Sequence, residues 1–283
     1  MSEPPPPSTP PVRSDQQVRP DSGLPKGAPV THVRQIAEFT FDLIEQASSA
    51  GPDALVETCG EWTMADLTHH LYSVQHFWTH VVSGRPSAGP KTYDRPLRVE
   101  VGALKKMKST TKRLVAALDG VPRSEQAWTW SDDHTIDFIV RRQVHEALIH
   151  SIDGRLAAGS PARPIPAELA ADGIDELVNV MMTDTPDEGT FEASGPIVRI
   201  GVTEYPAHWT LQLGRAVVET QRGPAQLPAA ELLANETPAD LELVGSGHDL
   251  LLWLWGRSDP QIEGLETEAA EELRNLVADS TAS

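Results

Sequence analysis

The chain has 283 residues, a formal net charge of −18 and one cysteine, Cys59. That length allows two ordinary domains, and so acidic a surface repels phosphate backbones and anionic lipid, which argues against nucleic-acid and membrane partners. A lone cysteine excludes an internal disulfide framework, the best apolar run, residues 250–255, is far too short to span a bilayer, and the amino-terminal segment has no apolar signal-peptide core; a soluble cytoplasmic protein is expected.

Residues 1–29 hold nine prolines with Ser, Gln, Gly and Asp and have little to bury, so a disordered tail is expected. Residues 30–50 carry Val33, Ile36, Ala37, Phe39, Phe41, Leu43 and Ile44 between polar residues and predict an amphipathic helix, ended by Gly51-Pro52. Thr63 and Asp66 form a capping pair for a second helix that runs to about Val82.

Four histidines lie on that second helix, in unlike positions. His69, Ser73, His76 and His80 follow Asp66 along a polar face; His76 and His80, at i and i+4, form a competing pair of candidate donors, but their face reads as solvated. His70 aligns instead with Leu67, Val74, Phe77 and Val81 on the apolar face. A buried imidazole needs a partner for its ring nitrogens; a core hydrogen bond or a shared metal would each supply one.

Residues 83–96 are a Gly/Pro-rich loop, and residues 97–118 predict a third helix, ended near Gly120 and Pro122. Residues 135–158 predict a fourth. Ile136, Ile139, Val140, Val144, Leu148 and Ile152 form its packing face, and Gln143, Glu146, His150 and Asp153 an adjacent polar stripe. Glu146 and His150, at i and i+4, place a carboxylate and an imidazole one above the other. A solvated stripe with Arg142 paired to Glu146 is the plainer reading. The apolar border of the stripe, and a core-facing His70 in need of a partner, favour a metal site made of His70, Glu146 and His150. Asp153 reads as solvated, with orientation of His150 as the alternative. His145 and His150 are five apart and out of phase, so this is not the zinc-protease pattern, which needs histidines four apart. Serine and cysteine nucleophile signatures and a glycine-rich phosphate loop are absent from the sequence.

A fifth helix is expected over residues 167–183 and a domain boundary over 184–190. Strands are expected at 197–203 and 208–213, with further candidates at 217–220 and 241–244. Ser246 and Asp249 cap a helix stopped by Gly256, and a last helix is expected over 267–278. The domains predicted are thus a tail (1–29), a helical domain (30–186) and an α+β domain (187–283).

Several pieces, taken in order, fit a known pattern. They are Trp62-Thr63-Met64-Ala65-Asp66-Leu67 with His70-Leu71, then Arg141-Arg142 and His145-Glu146 with His150, then Ile165-Pro166-Ala167-Glu168-Leu169, and last Leu252-Trp253-Leu254-Trp255-Gly256-Arg257. The set resembles the actinobacterial maleylpyruvate isomerase family, a branch of the mycothiol-dependent DinB-like enzymes. The resemblance implies a DinB-like four-helix bundle that binds a divalent metal, usually zinc, followed by a smaller α+β domain of sterol-carrier-protein type. Carried over by position, the ligands are His70, Glu146 and His150, and Arg257 faces the cleft and pairs with a substrate carboxylate. It further implies mycothiol as thiol cosubstrate, a carboxylated or electrophilic small-molecule substrate, and isomerase or thiol-transferase chemistry with a metal-bound thiolate as nucleophile. The alternatives are a metal-dependent hydrolase using bound hydroxide and a non-catalytic metal-binding protein of the same fold. Iron also suits two histidines and a carboxylate. The residues that bind the cosubstrate stay unassigned.

Overall fold

The computed structural model describes residues 30–84, 102–183, 189–220 and 223–281, with Leu24, Tyr93 and Pro96. The predicted amino-terminal tail, most of the 83–96 loop and the first residues of the third predicted helix lie outside these. The chain divides into a helical unit, Thr31–Arg163, and a mixed unit beginning at Pro164.

The helical unit contains α1 (Val33–Ala50), α2 (Met64–Gly84), α3 (Ala103–Leu118) and α4 (Ile136–Ala157). α1 lies against α4 and α3, and α2 against α3 and α4. Ile36, Leu43 and Ala47 recur at helical spacing and put one face of α1 inside. Leu43 and Ala47 join Val56, Met64, Leu67, Leu71 and Met107 in a buried cluster. α1 comes close to α4 because α4 carries Gly154: a Cβ there would lie 2.3 Å from Leu43 Cδ1. A buried polar knot ties three helices together. Gln75 of α2 donates to Thr40 of α1 at 2.7 Å and accepts from Thr111 of α3 at 2.7 Å. A buried amide so satisfied costs little and fixes the register of the three helices.

The Thr63–Asp66 capping pair follows the sequence, and the structure adds a cap at Thr135. The Thr63 N–H donates to Asp66 at 2.9 Å, and Thr135 accepts from the Phe138 N–H at 3.3 Å. The buried face of α2 does not run where the periodicity put it. It comprises Met64, Leu67, Thr68, Leu71, Gln75, Trp78, Val81 and Val82; Leu67 and Val81 are buried as expected, but Val74 and Phe77 are only half-buried. His70 therefore flanks the core instead of pointing into its middle. α2 and α4 run antiparallel: Thr58, before α2, reaches Asp153 near the end of α4, while Phe77, late in α2, stacks edge-on against Trp128, before α4.

The mixed unit begins with α5 (Ala167–Glu176), which passes into a π-helical stretch, Leu177–Met182. Then come β1 (Thr190–Val202), β2 (His208–Thr220), β3 (Gly223–Leu233), β4 (Leu241–Gly245), α6 (Gly247–Leu254) and α7 (Glu268–Thr281). The sheet order is β3-β2-β1-β4, with β1 and β4 parallel and the other pairs antiparallel. Here the structure departs from the predicted boundary near residue 187. α5 packs on α6, and Trp209 of β2 donates its indole N–H to Asp175 of α5 at 2.9 Å. These contacts place α5 in the mixed unit.

β3 was not expected. Its segment holds Pro224 and Pro228, which remove backbone donors, and such residues are tolerated at a sheet edge, where β3 lies. β2 joins the two separate candidates into one strand through Gly214. There a Cβ would meet the Glu192 carbonyl oxygen at 2.3 Å, so this close approach needs glycine. α6 starts as predicted, with Ser246 accepting from the Asp249 N–H at 3.1 Å, and ends at Gly256, whose φ is 69°. No helix among the described residues is long and apolar enough to cross a membrane.

Candidate metal centre

His70 enters the site from α2, Glu146 and His150 from one face of α4. His70 Nε2 is 3.0 Å from Glu146 Oε1, and His150 Nε2 is 3.4 Å from the same oxygen. One donor atom from each of the three lies within 4.8 Å of the others. The imidazole rings of His70 and His150 meet edge to face at 5.0 Å, and Trp62 covers His70 with its ring 5.0 Å away.

Each half of the α4 pair is held by a charged neighbour. Arg142, one turn before Glu146, binds its other oxygen, Oε2, at 2.6 Å. Arg142 is buried, so this ion pair is not the solvated surface pair of the plainer sequence reading. On the far side of His150, Asp153 Oδ2 takes Nδ1 at 3.0 Å. Asp153 is completely buried, which corrects the expectation that it is solvated. It is enclosed because the short loop after α1 folds over it. Thr58 donates to Oδ1 at 2.6 Å, and the Cys59 thiol donates to Oδ2 at 3.5 Å. That loop is pinned by a Leu55–Thr63 bridge and by the Val56 N–H on the Trp62 carbonyl at 2.8 Å.

These contacts set the protonation of the centre. Burial by itself would raise the Glu146 pKa. The Arg142 guanidinium, helped by the two imidazoles, outweighs it and holds the carboxyl well below the usual glutamate range. Burial by itself would lower the His150 pKa, but hydrogen bonds to Asp153, Cys59 and Glu146 and the Glu146 charge hold it well above the usual histidine range. Without an ion, an ionised Glu146 therefore stands between the Arg142 guanidinium and a protonated His150, whose Nδ1 faces Asp153.

The donor set fits a divalent ion. Two nitrogens and one oxygen with bond lengths near 2.0–2.2 Å would sit about 3.3 Å apart on the edges of a tetrahedron, and the separations of 3.0 and 3.4 Å are close to that. The Asp153 contact to Nδ1 leaves Nε2 turned towards His70 and Glu146, the usual way a carboxylate orients a metal-binding histidine. Three protein donors on a four-coordinate ion leave one position for an exogenous group.

The other sequence candidates lie elsewhere. His80 is exposed. His76 is half-buried, with Nδ1 3.0 Å from the Tyr93 hydroxyl, and burial, Arg113 and His80 lower its pKa. Among the described residues neither belongs to a group of donors that could hold an ion. Arg257 follows α6 in the mixed unit. Its backbone N–H donates to the Leu252 carbonyl at 2.7 Å, and its guanidinium donates to the Trp255 carbonyl and lies over the Trp255 ring.

Residues 33–154 match the family described as "Mycothiol maleylpyruvate isomerase N-terminal domain". The helical unit is a maleylpyruvate isomerase-like domain. The match begins with α1 and runs through Asp153, so it contains His70, Glu146 and His150 together with Thr58, Cys59 and Arg142. No curated protein and no solved structure matches the chain.

In this maleylpyruvate isomerase-like domain, the sequence had singled out the three donors but missed Thr58 and Cys59. Both sit in a loop more than ninety residues before Asp153. No local periodicity couples such positions.

Proposed function

We propose that the protein is a metal-dependent enzyme that uses mycothiol as cosubstrate and acts as an isomerase or thiol transferase on a small electrophilic or carboxylated substrate. The observation that carries this reading is the convergence of His70, Glu146 and His150 within the matched segment. In this reading the four packed helices are a DinB-like bundle, the mixed unit is of sterol-carrier-protein type, the ion is zinc, and the protein works in the cytoplasm.

A bound divalent ion would supply Lewis acidity, which lowers the pKa of a thiol and favours its ionised form at neutral pH. The protein side chains do the rest. Arg142 holds Glu146 so that one oxygen faces both imidazoles. Asp153 holds the His150 ring by Nδ1 and keeps Nε2 turned inward. Trp62 shields one side of His70 from water. Arg257 is assigned to the substrate carboxylate, because a planar guanidinium suits two-point binding of that group.

The test is turnover of maleylpyruvate and of electrophilic thiol acceptors by zinc-loaded protein, with and without mycothiol. Turnover that requires both zinc and mycothiol is expected. Equal turnover without mycothiol would point to the hydrolase instead, and no turnover with any acceptor would point to a binding protein.

A further inference from the structure

Asp153 joins His150 to a second set of donors. A ring nitrogen of His150, a carboxylate oxygen of Asp153 and the Cys59 sulfur also lie within 4.8 Å of one another. Asp153 Oδ2 is 3.0 Å from His150 Nδ1 and 3.5 Å from Cys59 Sγ. For an ion with zinc-like bond lengths, the tetrahedral edges would be about 3.3 Å between nitrogen and oxygen and about 3.5 Å between oxygen and sulfur. The two separations at Asp153 already stand near that spacing. Thr58 occupies Oδ1 at 2.6 Å, which turns Oδ2 towards Cys59 and His150. The carboxylate is fully buried and the other two side chains half-buried, so the site is enclosed without being sealed.

We propose that Cys59, His150 and Asp153 form a second metal site, selective for soft ions such as cadmium or copper(I), which competes with the first for His150. The chemistry of the donors separates the two sites. The first offers two nitrogens and an oxygen, which suit zinc or iron. The second includes a thiolate, which selects softer ions. Loading the second site releases the Cys59 proton as the sulfur–metal bond forms. A second proton leaves from His150 Nδ1, the one now shared with Asp153, as the nitrogen–metal bond forms; the proton left on the neutral ring sits on Nε2, where it blocks the first site. One imidazole cannot serve both ions while it keeps that proton. A soft ion in the second site therefore empties the first, which makes the loop bearing Thr58 and Cys59 a point of soft-metal inhibition. The second set does not depend on the proposed reaction and stands or falls separately.

The experiment is titration of metal-stripped full-length protein with cadmium, followed by the ultraviolet thiolate-to-metal absorption band, with elemental analysis of each variant. Cys59 is the one cysteine of the chain, so the band reports on this residue alone. The expected result is one cadmium per chain, a band in the wild type and in His70→Ala, no band in Cys59→Ser, and displacement of bound zinc from the wild type by cadmium. Cys59→Ser should still hold zinc, which shows that the variant is folded and the first site intact. Cadmium binding with no band in the wild type would overturn the site. So would a band of undiminished affinity in His150→Ala, which would mark a cysteine acting alone. Zinc and cadmium bound together on one chain would overturn the competition.

Discussion

Each unit of the chain buries an aspartate on a helix, and the company that each keeps is different. Asp175, in α5, accepts from the Trp209 indole at 2.9 Å and from Asn179 at 2.8 Å. Neither of these two partners can titrate, and the indole contact ties α5 to the sheet. Asp153, in α4, accepts from Thr58, Cys59 and His150. Two of those three partners carry protons that can leave, and one of them faces a further carboxylate and a second histidine. The comparison teaches that burial of a charge does not mark a functional site. Burial against groups that exchange protons or bind metals does.

The largest break in this comparison should come from His150→Ala. It removes a donor of the candidate centre and the partner of Asp153, and leaves a buried carboxylate without its cation. Loss of metal and a stability drop of about 3–5 kcal/mol are expected, the usual size for breaking a buried pair, measured by elemental analysis and denaturant unfolding.

The paired variants Asp153→Asn and Asp175→Asn sharpen the contrast. Asp153→Asn should weaken zinc affinity by about 10- to 100-fold, the usual effect of losing an orienting carboxylate. Asp175→Asn should lower stability by about 1–3 kcal/mol and leave zinc affinity unchanged. Zinc titration and thermal unfolding on both proteins separate the outcomes.

The third prediction concerns pH. His150 has a raised pKa, so its contribution to the stability of metal-free protein is complete below the ordinary histidine value of about 6.5 and fades as pH climbs through the raised one. Glu146 has a lowered pKa, so its contribution is complete above about 4.3 and fades as pH falls through the lowered one. The metal-free Tm should thus be highest between those two values and decline on both sides. Zinc should reverse the alkaline decline, because metal binding requires His150 to give up its proton.

The smallest expected effect is Thr58→Val. It removes one hydroxyl from Asp153 and should cost about 0.5–1.5 kcal/mol, with zinc still bound, as measured by Tm and metal content.

What could be read from the sequence follows the range of the interactions. Glu146 and His150 share a helix, and one turn of spacing sufficed to pair them. The helix caps at Thr63 and Ser246 were equally local. His70 was placed by phase with some error, because the core face of α2 is centred on Leu71, Gln75 and Trp78 and not on Val74 and Phe77. Asp153 was misread because the loop that covers it comes from before α2, and an acidic residue on a polar stripe looks solvated until that cover is known. β3 was hidden by prolines that only an edge position makes acceptable, and the place of α5 was decided by a tryptophan on β2 more than thirty residues later.

The central claim is that His70, Glu146 and His150 bind one divalent ion. The most direct test is the metal content of purified wild-type protein against His70→Ala, with circular dichroism to confirm that both are folded. The account predicts one ion per chain in the wild type and none in the variant; full metal retention in folded His70→Ala would contradict it.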